Sequence, residues 1–298
     1  MTKNKLGTSA LEVSEIGFGC MSLTGTDPDK AKILHRAIDM GINFFDTADL
    51  YDKGMNEISV GRALREKRND ILIATKAGNQ WRADGSGWDW NPRKDYILQC
   101  AEQSLKRLQV DHIDLYQLHG GTIEDPIDET IEAFEQLKQQ GKIRYYGISS
   151  IRPNVIREYI KRSSIVSVMM QYSLLDRRPE EACLELLKQN NIGVLTRGSL
   201  AQGLLINKPA KDYLGYTSEE VTRAAEAVRL TSNENRTPTH VAIQYVLRHP
   251  AVSSAVVGIR TIEQLEDVAI MKNSNLLSDQ EMNSLRNSVV PKRYEQHR

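Results

Sequence analysis

Short apolar runs rich in β-branched and aromatic residues recur along the chain, and between most of them apolar residues fall three and four apart. The runs predict strands at 15–19 (EIGFG), 43–48 (NFFDTA), 71–76 (ILIATK), 113–119 (IDLYQLH), 144–150 (RYYGISS), 166–172 (VSVMMQY), 192–198 (IGVLTRG) and 254–259 (SAVVGI). The intervening stretches predict amphipathic helices. A first helix places Ile33, Leu34, Ala37 and Ile38 on one face, begins after Asp27 with Pro28 in its first turn, and stops at Gly41. Later ones stack Ile97, Ala101, Leu105 and Leu108, and then Ile127, Ile131, Phe134 and Leu137. Polar stretches such as EQSLKR and EQLKQQ are their solvated faces. Strand and helix alternating eight times, with no long polar linker, predicts an α/β fold: a closed (β/α)8 TIM barrel spanning 1–298 as one domain. A doubly wound open sheet is the alternative.

Three segments depart from a bare barrel. Residues 3–16 predict a short hairpin that covers the barrel's bottom. The stretch 203–253 exceeds one connection and holds two helical segments, SEEVTRAAEAVRL and, after a Thr237 cap and Pro238, THVAIQYVLRH. Residues 79–92 form a loop with all three tryptophans, Trp81, Trp88 and Trp90. That loop is either a substrate wall or a satellite cluster that pins itself down.

Composition narrows the function classes. Lysine plus arginine balance aspartate plus glutamate, 39 against 39, so net charge points to neither a nucleic-acid nor a membrane partner. Cys20, Cys100 and Cys183 are widely spaced and lack a CxxC pair, which speaks against a disulfide framework and a zinc ribbon. No apolar stretch has signal-peptide or membrane-span character. A cytoplasmic protein without a metal site is expected.

In a barrel, the C-terminal strand ends share one mouth. They carry Gly19, Cys20 and Met21, then Asp46 and Tyr51, Lys76, His119, Ser149 and Ser150, Gln171 and Tyr172, Arg197 to Leu200, and Gly258 to Arg260. Singly, each polar residue has a bland reading: Asp46 as a turn residue, Lys76 as an ion-pair partner, His119 as a core histidine, Tyr51 as packing. Together they suit proton transfer. A tyrosine, with an ordinary pKa near 10, needs a neighbouring cation to exchange protons near neutrality. Lys76 supplies that charge, Asp46 holds the ammonium, and His119 orients a carbonyl oxygen that Tyr51 protonates. Protonating that oxygen serves a reaction in which a hydride reaches carbon.

These residues resemble the aldo-keto reductase family, in particular its bacterial members. The resemblance runs through KLGTSALEVSEIGFGCM, DTADLY, the ATK and LHG strand ends, GKIRYYGISS, QYSLLDR and VVGIRTIEQLED. It implies a catalytic tetrad of Asp46, Tyr51, Lys76 and His119 and NADPH extended across the mouth. Ser149 and Gln171 would hold the nicotinamide carboxamide, and Gly19, Cys20 and Met21 would flank the cofactor. Arg197, Gly198, Ser199, Leu200 and Gln202 would follow the pyrophosphate. Gly258 and Arg260, with Thr261, would take the 2′-phosphate, with Gln264 and Asp267 near the adenine. A guanidinium suits a phosphate, so Arg260 favours NADPH over NADH. The family pattern is broken at Ser150, usually asparagine; at Arg197, often a tyrosine that stacks on the nicotinamide; and at Val268, usually asparagine. GFGCMS lacks the third glycine of a Rossmann fingerprint.

The leading expectation is an NADPH-dependent reductase of aldehydes and ketones. Trp81, Trp88 and Trp90 would form the substrate wall, favouring an apolar or aromatic aldehyde. A nucleotide-sensing accessory subunit with slow turnover is the second reading. A Schiff-base lyase using Lys76 is the third, and Asp46 argues against it because it stabilises the ammonium.

Overall fold

The computed structural model describes residues 1–298, the side chain of Lys272 excepted. In chain order the elements are β1 (Lys3–Lys5), β2 (Glu12–Ser14), β3 (Ile16–Gly19), α1 (Asp27–Asp39), β4 (Phe44–Asp46), α2 (Met55–Leu64), β5 (Leu72–Ala77), β6 (Asn79–Trp81), β7 (Trp88–Trp90), α3 (Lys94–Leu108) and β8 (Ile113–Leu118). There follow α4 (Ile127–Gln139), β9 (Ile143–Ser149), α5 (Pro153–Arg162), β10 (Ser167–Gln171), α6 (Cys183–Gln189), β11 (Gly193–Arg197), α7 (Ser218–Thr231), α8 (Pro238–Leu247), β12 (Val252–Gly258), α9 (Ile262–Ile270) and α10 (Asp279–Asn287).

Strands β3, β4, β5, β8, β9, β10, β11 and β12 are parallel and close into a barrel in that order, with β12 pairing back onto β3. Closure overturns the open-sheet alternative. The register pairs Gly19 with Asp46, Asp46 with Ala74, and Lys76 with Gln117, which brings the strand ends to one rim.

The barrel interior is apolar. Phe44, Ala74, Leu115, Met169, Leu195 and Val256 meet Leu6, Leu11 and Val13 from the β1–β2 hairpin, which closes the bottom as expected. A second apolar layer lies between strands and helices. There Phe134 of α4 stacks on Tyr146 at 5.1 Å and meets Tyr116 edge-on at 5.7 Å. Its full burial contributes about 2 kcal/mol. Gly61 of α2 lies so close to the Leu108 carbonyl of α3 that a Cβ would collide with it.

Differences from the sequence expectations have local causes. Helix α1 starts one residue earlier than expected, because Thr26 caps it and its amide donates to Asp29 Oδ2 at 3.0 Å. On α4, Ile131 is only partly buried, while Thr130 is buried and donates to the Pro92 carbonyl at 2.7 Å. Strand β4 ends at Asp46 instead of 48, since the following segment turns across the rim, with the Thr47 amide bonded to Ala74 O and the Asp49 amide to Lys76 O. Residues 79–92, expected as a loop, contain the antiparallel hairpin β6–β7, which pairs Trp81 with Trp88.

Candidate active site

Asp46 is the last residue of β4 and Lys76 lies near the end of the neighbouring β5, so adjacent parallel strands bring the two side chains together. Lys76 Nζ donates to Asp46 Oδ2 and to the Thr47 carbonyl, both at 2.7 Å. It reaches the Tyr51 hydroxyl at 3.5 Å and lies 5.2 Å from the centre of the Tyr51 ring. His119, directly after β8, meets that ring edge-on with centroids 5.9 Å apart. The four expected residues therefore converge. Tyr51 opens a turn whose next two residues, Asp52 and Lys53, are left-handed at φ 50° and 52° before Gly54 at 86°. Such backbone in non-glycine residues is strained and is held by its surroundings.

Burial sets the electrostatics. It opposes the Lys76 ammonium, but Asp46 and Tyr51 outweigh it, and Lys76 titrates above an ordinary lysine. Burial pushes the Tyr51 phenol up, and Asp46 adds to this, while Lys76 and Arg197 pull it down without reversing it. Sequence reasoning weighed only the lysine; the buried tyrosine is a neutral phenol. Burial, then the Lys76 and Arg197 charges, lowers His119 to about 3, so its imidazole is neutral at pH 7. His119 Nδ1 and Asp46 Oδ1 are buried without hydrogen-bond partners.

The tetrad lines a cavity of about 660 Å³ together with Gly19, Met21, Ser149, Ser150, Gln171, Arg197, Gly198, Gln202 and Gly258. A second cavity of about 470 Å³ holds Ser199, Leu200, Arg260, Gln264, Asp267 and Val268. The two share Ser22, Gly198, Gln202, Val256 and Gly258, so together they form one trough across the rim. At Gly258 an added Cβ would meet the Ser22 hydroxyl, which would have to shift, so the two residues pack closely where the cavities join. The nearby α9 begins at the Thr261 cap, whose Oγ1 accepts from the Gln264 amide at 3.2 Å.

Several expected site residues are placed otherwise. Cys20 lines neither cavity; its thiol is buried and faces the Phe18 carbonyl at 3.8 Å, because a 3-10 turn, Cys20–Ser22, opens directly after β3 and buries its first side chain. Trp90 also lies outside both, with Nε1 bonded to Asp125 Oδ1 at 2.9 Å and its ring over Gly78 and Gly120. It pins the hairpin. Trp81 and Trp88 instead line an adjoining cleft with Tyr51, Leu50, Met21 and Lys53, whose ammonium lies 5.1 Å from the Trp81 ring. Asp267 is engaged from beneath by Thr237 at 3.0 Å and by His240, and Gln264 Oε1 accepts the Arg260 amide at 2.9 Å.

Sequence reasoning missed Tyr213. Its hydroxyl accepts from Gln171 Nε2 at 3.0 Å, while Gln171 Oε1 accepts from Arg197 at 2.9 Å. The signal in the sequence is the turn Tyr213-Leu214-Gly215-Tyr216, with left-handed Leu214 and Gly215. Ser22 and Lys208, which also line the trough, carry no such signal.

A barrel whose mouth sets a lysine-backed phenol beside a neutral imidazole is built for proton exchange at a carbonyl or alcohol oxygen. The chain belongs to the aldo/keto reductase family, whose model matches residues 15–289. It is 52% identical to the "Uncharacterized oxidoreductase YqkF" of Bacillus subtilis, over 100% of both chains. It superposes on the holo form of aldo-keto reductase AKR11C1 from Bacillus halodurans with a TM-score of 0.93 and 48% identity, covering 100% of this chain and 99% of that one. A Schizosaccharomyces pombe relative, "Aldo-keto reductase yakc [NADP(+)]", is 30% identical over 86% of this chain and 82% of its own length. The protein is thus an NAD(P)H-dependent oxidoreductase of the carbonyl/alcohol couple. No helix among the described residues is long and apolar enough to cross a membrane, and no cluster of three or more metal-ligating side chains occurs among them.

Proposed function

We propose that the protein reduces aldehydes, and some ketones, to alcohols with NADPH, and that Tyr51 is the general acid. The observation that carries this reading is a neutral Tyr51 phenol in the cavity with a buried, ion-paired ammonium 3.5 Å from its oxygen. The residues of the trough fit an extended dinucleotide: Gly198 and Gly258 leave room for a backbone-close ligand, Gln171 and Ser149 offer polar groups near the tetrad, and Arg260 stands at the far end. Arg260 has no carboxylate partner among the described residues, which suits a 2′-phosphate. Asp267 in the same cavity is engaged by Thr237 and His240, and Glu263 is held ionised by its own backbone amide and Thr261. When bound, the reduced nicotinamide supplies the hydride.

The remaining work belongs to the chain. Tyr51 holds its proton and gives it to the carbonyl oxygen as charge develops there. Lys76 stays charged through Asp46 and stabilises the phenolate left behind. We assign the His119 proton to Nε2, because an unpaired N–H at the buried Nδ1 is costlier than an unpaired lone pair. A neutral His119 then donates to the same oxygen and orients it. Trp81 and Trp88 form the apolar side of the substrate approach. We read 1–298 as one barrel domain, and a cytoplasmic setting fits its three buried free cysteines.

The test is a panel of aldehydes and ketones assayed with NADPH and NADH in parallel. Multiple turnover of aldehydes, faster with NADPH, is expected. Tight NADPH binding with no turnover on any carbonyl would replace this reading with that of a nucleotide-sensing subunit.

A further inference from the structure

The mouth carries unbalanced charge in a chain whose charges balance overall. Four charged side chains line the tetrad cavity: Asp46, Lys76, Arg152 and Arg197. Asp46 and Lys76 neutralise each other at 2.7 Å. Neither Arg152 nor Arg197 makes an ion pair among the described residues. Arg152 Nη1 donates to the Gly121 carbonyl and Arg197 Nη1 to Gln171 Oε1, both uncharged acceptors that leave the cationic charge in place. Asp125, below Gly121, is occupied by Trp90 and Thr122 and does not line the cavity.

Strand order locates the two cations. His119 follows β8, Arg152 follows the adjacent β9, and Arg197 ends β11, so Arg152 lies one strand on from His119 and lines the same cavity with Gly120, Gly121 and Ile151. The charge of Arg197 is felt at Tyr51, His119 and Asp46. A guanidinium held by one nitrogen still offers paired donors, which match the two oxygens of a carboxylate.

We propose that the substrate is an oxo-acid, a carbonyl compound that also bears a carboxylate, and that Arg152 binds this carboxylate while Tyr51 and His119 take the carbonyl. The inference rests on the reductase reading above and specifies its substrate class.

The experiment compares 4-carboxybenzaldehyde with its methyl ester under saturating NADPH. The acid is expected to have a kcat/KM at least about tenfold above the ester, by the worth of a charged hydrogen bond. Added KCl should lower that ratio by screening, and Arg152→Gln should bring it towards one, with Arg152→Lys between. Should Arg152→Gln fail to fold, the salt dependence of the wild-type ratio decides. Equal efficiency for acid and ester overturns the oxo-acid inference and leaves the reductase reading standing. Reduction of neither compound, nor of any carbonyl in the panel, overturns the reductase reading and this one with it. A ratio unchanged in Arg152→Gln removes Arg152 as the carboxylate's partner.

Discussion

The Lys76 ammonium lies 3.5 Å from the Tyr51 hydroxyl, a long contact, while it grips Asp46 Oδ2 and the Thr47 carbonyl at 2.7 Å each. The lysine is thus fixed by the strand end and its neighbour, independently of the tyrosine. Tyr51 keeps its proton in the resting protein because burial outweighs the cation. The same cation becomes most favourable once the proton has left, which is the differential stabilisation that catalysis requires.

Tyr51→Phe therefore removes the proposed proton donor and keeps the ring that meets His119 edge-on. We expect kcat for aldehyde reduction to fall by about 10² to 10⁴. NADPH affinity, read by quenching of protein fluorescence, should change little because the hydrogen bond of this hydroxyl, among the described residues, is to Lys76. Turnover near wild type would show that another group supplies the proton.

Lys76→Met tests the ion pair as structure. Asp46, buried with one oxygen already unpaired, would lose its counter-charge, and breaking a buried pair from one side costs about 3–5 kcal/mol. Chemical denaturation at pH 7 should show this loss, and Asp46→Asn on the same background should recover part of it. If the single variant were as stable as wild type, the pair would be serving chemistry alone.

The fold was legible because its signals are local and repeated. Eight apolar runs with helices between them admit few closed arrangements, and the runs all became barrel strands. The tetrad was legible for a related reason: Asp46, Lys76 and His119 sit at strand ends, where topology alone sends side chains to one mouth. Trp90 was not, since whether an indole lines a wall or pins a hairpin depends on its bond to Asp125, thirty-five positions away. Cys20 fails likewise, because a one-residue change of direction after β3 decides between cavity and core. The upward shift of Tyr51 was invisible in the sequence, which reveals a charged neighbour but not how much water has been excluded.

Arg260→Ala probes cofactor choice. Its guanidinium is exposed beside the second cavity, and loss of a charged contact to a 2′-phosphate should weaken NADPH by about ten- to a hundredfold. NADH, which lacks that phosphate, should be little affected. Parallel titrations with the two nucleotides measure the difference, and an equal loss for both would remove Arg260 from phosphate recognition.

Asp49 offers the sharpest pH prediction. It lies two residues before Tyr51, buried against α2 and α3, with Oδ1 unpaired and its amide bonded to Lys76 O. Burial first, then the Glu57 carboxylate, raises it to about 7; Arg107, a contact with Cys100 and the Leu50 amide oppose this. Arg107 is already committed to Glu57 at 2.6 Å, and the phenols of Tyr96 and Tyr116 face the same group. Between an unfolded value near 4 and the folded value near 7, the folded state binds more protons, so stability falls as pH rises through this window. The loss is absent below the window and complete above it, on the order of 2–4 kcal/mol. Asp49→Asn abolishes the titration. The variant should therefore be more stable than wild type at pH 8 and gain nothing at pH 4, as read by denaturant midpoints at the two values. A gain of the same size at both would place the effect in packing and not in the proton.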